Sequence, residues 1–432
     1  MSPLKVLVCA YDCNPARGSE AGVGWGWVKA IAQSHEVWVL TAEHHRPDIE
    51  GELRNRPDCC DNLHFVYVPR RRWLAAEKVW PPAYLWTYRI WQRSAFNVAR
   101  ELHRRTPFNL VHVITYVGFR VPGPFFQLGI PFVWGPVGGL ENTSWRFLPR
   151  LGLRGAIHYA GRNLVNTVHK IFLPEPKHAF RAARGGIIAA TSTIQREIRR
   201  WYDEDSVVIC EVGVPPAAVG EHSRRNPDQP LRLCWSGLHL PGKALPLLLD
   251  ALARLPRRIR WRLEILGAGP CTAKWHRYSR RIGIDANCLW RGQVQRSEAL
   301  RVMQESHVFA ITSVKDLTST VLVEALAQGL PVVCPDHCGF ADAIDESCGV
   351  KLAVGTPRQF IAALAEALER LHDDETLRSK LAAGAVVRAR AFSWEHKAEK
   401  LAAIYAAKVG ASAPESATRR AAVAHDGATV GA

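Results

Sequence analysis

The chain has 432 residues, 47% hydrophobic and 22% charged, with 56 basic against 40 acidic side chains and a formal charge of +16. That composition excludes a disordered or fibrous protein, and the length calls for two or three domains with ample core. No apolar run is long enough to span a bilayer. The positive excess favours anionic partners (a phosphorylated substrate, a membrane surface or a nucleic acid), although arginines spread along the whole chain fit a generally basic surface equally well.

The opening residues, MSPLKVLVCAYDC, enter a strand pattern directly, with neither a basic n-region nor a long apolar h-region, so no signal peptide is expected. Short apolar runs follow at 36–41, 63–68, 110–114, 131–134, 186–190 and 206–210. Helical patterns fall between them, starting near Gly22 and covering 83–105 and 193–202. Strand alternating with helix predicts a parallel sheet covered on both faces. Residues 214–230 are rich in proline and polar side chains and read as a linker. The alternation then restarts, with strands at 231–237, 261–269, 288–292, 307–313 and 331–334 and helices near 243–254, 273–282, 296–304 and 319–328. Helices at 357–371, 375–390 and 392–408 close the pattern. The tail from Gly410 has few large apolar residues and reads as disordered. The fold class is therefore α/β, with two doubly wound Rossmann-like domains facing a central cleft. The expected divisions are 1–215, a linker 216–230, 231–391, a closing helix 392–408 and a tail 410–432.

The eleven cysteines show no paired zinc spacing. Cys9 with Cys13, or Cys334 with Cys338 around His337, would be the metal pairs. Buried thiols in a reducing cytoplasm are the simpler expectation.

Ligands of doubly wound sheets bind beyond the carboxyl ends of the strands, so loops after strands carry the information. The first, RGSEAGVGWGW (17–27), offers Gly18, Gly22, Val23 and Gly24 at a helix start, as a phosphate or sugar loop or as packing glycines. It is not the dinucleotide fingerprint, because Trp27 stands where the last glycine belongs. The second, SGLHLPGKALPLLLDAL (236–252), has Gly237 ending a strand and Lys243 at a helix start, where an ammonium could join helix amides around a phosphate. The third, TSVKDLTSTVLVEALAQGLPVV (312–333), places Asp316 and Glu324 eight positions apart. Thr318 or Ser319 can cap the helix, Gly329 can close it, and the amides of Leu317, Thr318, Ser319 and Thr320 form an anion site. Glu324 lies on an apolar helix, where a carboxylate needs partners.

The spacing from Asp316 to Glu324 with the following ALAQGLPVV resembles the E-x7-E signature of family 4 (group 1) retaining glycosyltransferases. RGSEAGVGW, SGLHLPGKALPLLLDAL, LEILGAGP (263–270), LWRGQV (289–294) and FSWEHKAEKLAAIY (392–405) are similar to further family segments, in the right order. The resemblance implies a GT-B fold whose last helix packs back on the N-terminal domain. It implies a nucleotide-diphospho-sugar donor as co-substrate, no cofactor and no metal. Under it Glu324 binds the ribose, the amides of Leu317 to Thr320 and Lys243 hold the diphosphate, Asp316 contacts the sugar, and Gly22 to Gly24 close over the phosphate or acceptor. Three positions depart from the family pattern. The first carboxylate is Asp316 rather than Glu, Leu238 replaces an arginine, and the histidine expected after PFVW (131–134) is absent. His112, in the preceding strand, reads as a core histidine.

Residues 70–105 interleave cations with Trp73, Trp80, Tyr84, Trp86, Tyr88 and Trp91, and 145–154 has a similar character. Such segments lie on anionic membranes or pack as tryptophan-rich helices. The expected acceptor is a saccharide or a lipid-linked saccharide, at the inner face of a membrane, and no nucleic acid is expected. A non-catalytic scaffold of the same fold, a sugar epimerase or phosphorylase, and an NAD-dependent dehydrogenase are the alternatives.

Overall fold

The computed structural model describes residues 3–55, 61–70, 83–116, 118–215, 225–226 and 228–411. Apolar runs buried on both faces make parallel strands rather than alternating ones. β1 (Lys5–Cys9) and β4 (Leu110–Val113) are such runs. The first half continues with α1 (Ser19–Ala32), β2 (Glu36–Ala42), α2 (Arg46–Asn55), β3 (Leu63–Val68), α3 (Ala83–Arg105), β5 (Phe132–Val137), α4 (Gly152–Phe172), α5 (Pro174–Ala182), β6 (Ile187–Ala189), α6 (Ser192–Tyr202) and β7 (Val207–Val208). These strands form one sheet, β3-β2-β1-β4-β5-β6-β7, all parallel.

The second half runs β8 (Leu231–Ser236), α7 (Leu245–Leu252), β9 (Trp261–Leu266), α8 (Thr272–Arg281), β10 (Cys288–Gly292), α9 (Arg296–Gln304), β11 (Val308–Ala310), α10 (Thr320–Ala327), β12 (Val332–Pro335), α11 (Phe340–Ala343), β13 (Gly349–Leu352), α12 (Pro357–Asp373) and α13 (Glu375–Arg390). Its sheet is β10-β9-β8-β11-β12-β13, again all parallel. Strand order reverses between β1 and β4 and between β8 and β11. Those are the points where crossovers on opposite faces leave a crevice.

α14 (Trp394–Gly410) packs on α1 of the first half. Its Trp394 ring meets Trp27 edge-on at 5.9 Å between centroids. Its Tyr405 hydroxyl lies 2.7 Å from Nδ1 of His112, whose Nε2 is 2.9 Å from the Gly135 carbonyl. His112 is thus a core histidine, and burial holds its pKa down to about 3.

Three features differ from the sequence expectation. Helices α2, α4, α5 and α11 and strand β13 add to the expected elements. Residues 145–160 precede the linker yet pack on the second sheet: Phe147, Leu148 and Leu151 share a core with Trp235 and Leu248, and Phe147 meets Phe360 at 5.8 Å. α4 then returns to the first half, where Asn163 exchanges hydrogen bonds with Thr143 (2.8 and 2.7 Å) and Asn166 donates to the Leu140 carbonyl (3.0 Å). Much of the aromatic content of α3 is core, since Tyr88 and Trp91 are buried around Tyr11. Trp73, Trp80, most of the linker and nearly all of the tail lie outside the described residues.

The nine described cysteines are free thiols, and Cys9, Cys13, Cys334 and Cys338 are buried. Among the described residues, the group whose metal-ligating atoms converge is instead Asp12, His44 and His45. There His45 Nε2 already lies 2.7 Å from Asp12 Oδ1, and its Nδ1 is 3.2 Å from Asn14 Nδ2.

Candidate active site

The loops after β8 and β11 meet at the reversal point of the second sheet. Lys243 closes a short 3-10 turn (Pro241–Lys243), and Ala244 follows in the left-handed region at φ 49°. α7 starts only at Leu245, so Lys243 is not the first helical residue the sequence suggested. The left-handed residue breaks the helical path and frees the ammonium from the helix end. Lys243 Nζ donates instead to Asp316 Oδ2, with both side chains about four-fifths buried. Gly237 lies beside the Lys243 stem, and Leu238 is 58% exposed.

α10 begins at Thr320 and ends at Ala327, with Gln328 as its C-cap and Gly329 at φ +70° as the left-handed closing residue. Ser319 occupies the cap position, but neither its hydroxyl nor that of Thr318 caps the helix. Its backbone lies at φ 74°, ψ 119°, a conformation costly for a residue with a Cβ. Two of the four amides expected to bind an anion are already occupied. Leu317 N–H donates to its neighbour Asp316 (3.1 Å). Thr318 N–H and hydroxyl both donate to Glu211, at 2.8 and 3.1 Å. This half-buried carboxylate competes for the same donors as a phosphate, which leaves the amides of Ser319 and Thr320. Neither of those amides has a hydrogen-bond partner among the described residues. Leu317 points across the cleft toward Gly138 and packs on the core of the first half.

Glu324 is 6% exposed on α10. Its partner is Arg296, the first residue of α9, whose Nε donates to Oε1 at 2.7 Å. Its other oxygen has no hydrogen bond among the described residues.

Sequence reasoning missed Arg296, although a buried carboxylate demands such a partner and the helix near 296 was foreseen. It also missed Glu211, which lies after β7 with no local pattern to mark it. Burial raises the Glu211 pKa, while the Thr318 donors lower it. Tyr159 and Lys315 were missed too. A Cβ on Gly242 would lie 2.3 Å from the Tyr159 hydroxyl, so α4 rests directly on the Lys243 turn. Lys315 donates across the cleft to the Glu141 carbonyl, and burial holds its pKa below the usual lysine range.

The glycine loop of the first half behaves differently. α1 starts at Ser19, so Gly22 and Gly24 lie inside the helix rather than ahead of it. A Cβ on Gly24 would stand 2.1 Å from the Asp12 carbonyl. Gly22 and Gly24 thus stand where the loop packs on its own helix. Val23 touches the cores of both halves, and Gly18 alone faces open space.

Comparison with known proteins extends this geometry. Residues 229–374 match the family described as glycosyl transferases group 1. A D-inositol 3-phosphate glycosyltransferase from Nocardioides sp. is 26% identical over 303 residues, 63% of this chain and 64% of that protein. Matches to relatives of this name span about half to two thirds of the relatives' length. Sucrose-phosphate synthase from Thermosynechococcus elongatus superposes with a TM-score of 0.63 at 16% identity, covering 95% of this chain and all (100%) of that one. Anabaena Alr3699/HepE, solved in complex with UDP-glucose, gives 0.57 at 14% identity, covering 92% and 98%. Both are likenesses of fold. The chain has the GT-B fold, and the part of it that matches the group 1 glycosyl transferases is the part that carries Lys243, Asp316 and Glu324.

Proposed function

We propose that the protein is a retaining glycosyltransferase that moves a sugar from a nucleotide-diphospho-sugar to a hydroxyl of a saccharide or lipid-linked saccharide. The reading is carried by two acid–base pairs at one strand-order reversal, Lys243 with Asp316 and Arg296 with Glu324, beside two unbonded amides. Residues 1–215 take the acceptor side and 231–391 the donor side. Arg296 holds one oxygen of Glu324, and the other accepts the ribose hydroxyls. The donor diphosphate lies on the amides of Ser319 and Thr320. Lys243 turns from Asp316 to the diphosphate, and Asp316 then accepts from hydroxyls of the transferred sugar.

The bond from the anomeric carbon to the phosphate oxygen breaks as the acceptor oxygen attacks from the same face. The acceptor proton passes to that departing phosphate oxygen. Placement, and neutralisation of the leaving diphosphate, supply the acceleration. The solved structure with UDP-glucose suggests a uridine nucleotide for this chain as well.

A thermal-shift screen of UDP-, GDP- and ADP-sugars tests the first half of the reading. One nucleotide class should raise Tm, and acceptor-dependent release of that nucleotide should follow. No shift with any of the three would refute it.

A further inference from the structure

We propose that α4 is a docking face for an anionic lipid bilayer, with a cationic headgroup cavity at each of its ends. Leu153, Ile157, Leu164, Val168, Ile171 and Phe172 are 79%, 65%, 65%, 42%, 43% and 73% exposed. The first five recur at intervals of 4, 7, 4 and 3, which on a 3.6-residue helix is one face. The opposite face, with Gly155, Tyr159 and Asn166, is the one that touches protein. Of the fifteen large hydrophobic side chains exposed among the described residues, ten lie between Leu85 and Phe172. The apolar surface is therefore one region, and single scattered side chains do not explain it.

Charge decides what covers it. The 33 residues from Asn142 to Pro174 contain no Asp or Glu. Arg146, Arg150 and Arg154 flank the start of the helix. One cavity of about 450 Å³ opens there, lined by Arg150, Gly152, Lys274, Arg277, Tyr278 and Arg281. Its one carboxylate, Asp250, is engaged by Arg150 at 3.2 Å and by the Tyr278 hydroxyl. The second cavity, about 250 Å³, opens at the other end between α3 and α4, lined by Trp86, Arg89, Arg120, His169 and Leu173, with Arg89 paired to Glu175 at 3.1 Å. The 21 residues of α4 set the two apart by about 31 Å. A symmetric second copy would bring these cations against themselves. A bilayer with anionic headgroups offers an apolar interior to the ridge and phosphates to both ends. The docked face lies opposite the Lys243 turn, on the same helix.

Co-sedimentation of the full chain with phosphatidylcholine vesicles, with or without 30% phosphatidylglycerol, tests this. Wild type should bind the anionic vesicles only, and lose binding as salt screens the headgroups. Leu164→Glu with Val168→Glu should abolish binding. Lys274→Ala with Arg277→Ala should weaken it about 25-fold, or about fivefold per cation. None of these residues is among those proposed to bind the donor, so nucleotide-induced thermal shifts should match wild type in both variants. Their loss would impugn the variants' folding and not the docking face. In that case single Leu153→Ser, at the most exposed position, replaces them. No sedimentation of wild type with anionic vesicles overturns the proposal. So does equal binding by the glutamate variant, or a wild-type dimer in light scattering that the glutamate variant makes monomeric.

Discussion

The two halves share one architecture but spend their unusual residues differently. In the second, charged side chains are paired and partly buried at the sheet reversal, Lys243 on Asp316 and Arg296 on Glu324. In the first, Gly22 and Gly24 at the matching reversal lie against backbone carbonyls, and the exceptional feature is an apolar face turned outward. Paired charges in a crevice select a small polar ligand, because each group is held where a ligand can exchange for its partner. An outward apolar face selects a surface. The comparison teaches that fold symmetry says little about which half carries chemistry.

Matched substitutions should separate the halves. Lys243→Ala is expected to lower the rate of transfer by about 100- to 1,000-fold, the loss typical of one donor to a developing negative charge. Glu324→Ala should weaken donor binding and transfer together. Neither should shift the far-UV circular dichroism spectrum. Wild-type transfer by either variant would break the assignment of chemistry to the second half.

Gly24→Ala should act in the opposite sense. The added Cβ has the Asp12 carbonyl at 2.1 Å, so α1 or the loop must move. Overpacking of this kind costs about 1–3 kcal/mol. A loss of Tm that precedes any specific loss of nucleotide binding is expected. Unchanged stability with lost donor binding would make Gly24 a ligand residue after all.

Burial in the first half also sets a pH dependence. The His112 pKa is held down to about 3 in the folded protein, against an ordinary value of 6.5. The unfolded chain therefore binds a proton that the folded one refuses. The stabilisation is complete above pH 6.5 and is lost as pH falls toward 3, by about 1.4 kcal/mol per unit. His112→Gln, which keeps an amide near the Gly135 carbonyl, should flatten that part of the profile between pH 6 and 4. Parallel profiles would mean that His112 is protonated in the fold.

Most of the fold was legible because strand and helix periods differ and each strand is a short apolar run. The span 83–105 and the pattern 231–334 follow such runs closely. α4 was not legible, because its apolar residues face outward and Gly155 and Gly161 interrupt it. Of the candidate site, the pairing partners Asp316, Glu324 and Lys243 could be singled out from local spacing. Arg296 and Glu211 are 28 and 107 residues from their partners, so only the sheet topology brings them in. A packing glycine and a ligand glycine look alike in local pattern, so the carbonyls that lie close to Gly22 and Gly24 could be located only in the fold.

The smallest effect concerns Ser319. Its φ of 74° with ψ of 119° suits glycine, and its hydroxyl makes no cap hydrogen bond that would compensate. Conformations of this kind cost about 1–3 kcal/mol. Ser319→Gly removes that strain but adds freedom to the unfolded chain, worth about 0.4–1 kcal/mol. A net gain of about 1 kcal/mol should remain, read as a rise in Tm of about 2–4 °C. The backbone already has the shape glycine prefers, so the Ser319 and Thr320 amides keep their aim and donor affinity should stay within about twofold, on the order of 0.4 kcal/mol. A fall in Tm would mean that the serine hydroxyl stabilises the loop in solution. A rise in Tm with much weaker donor binding would mean that the strained serine itself positions the diphosphate. In that case the second half would hold its ligand partly by backbone strain, which the packed glycines of the first half do not supply.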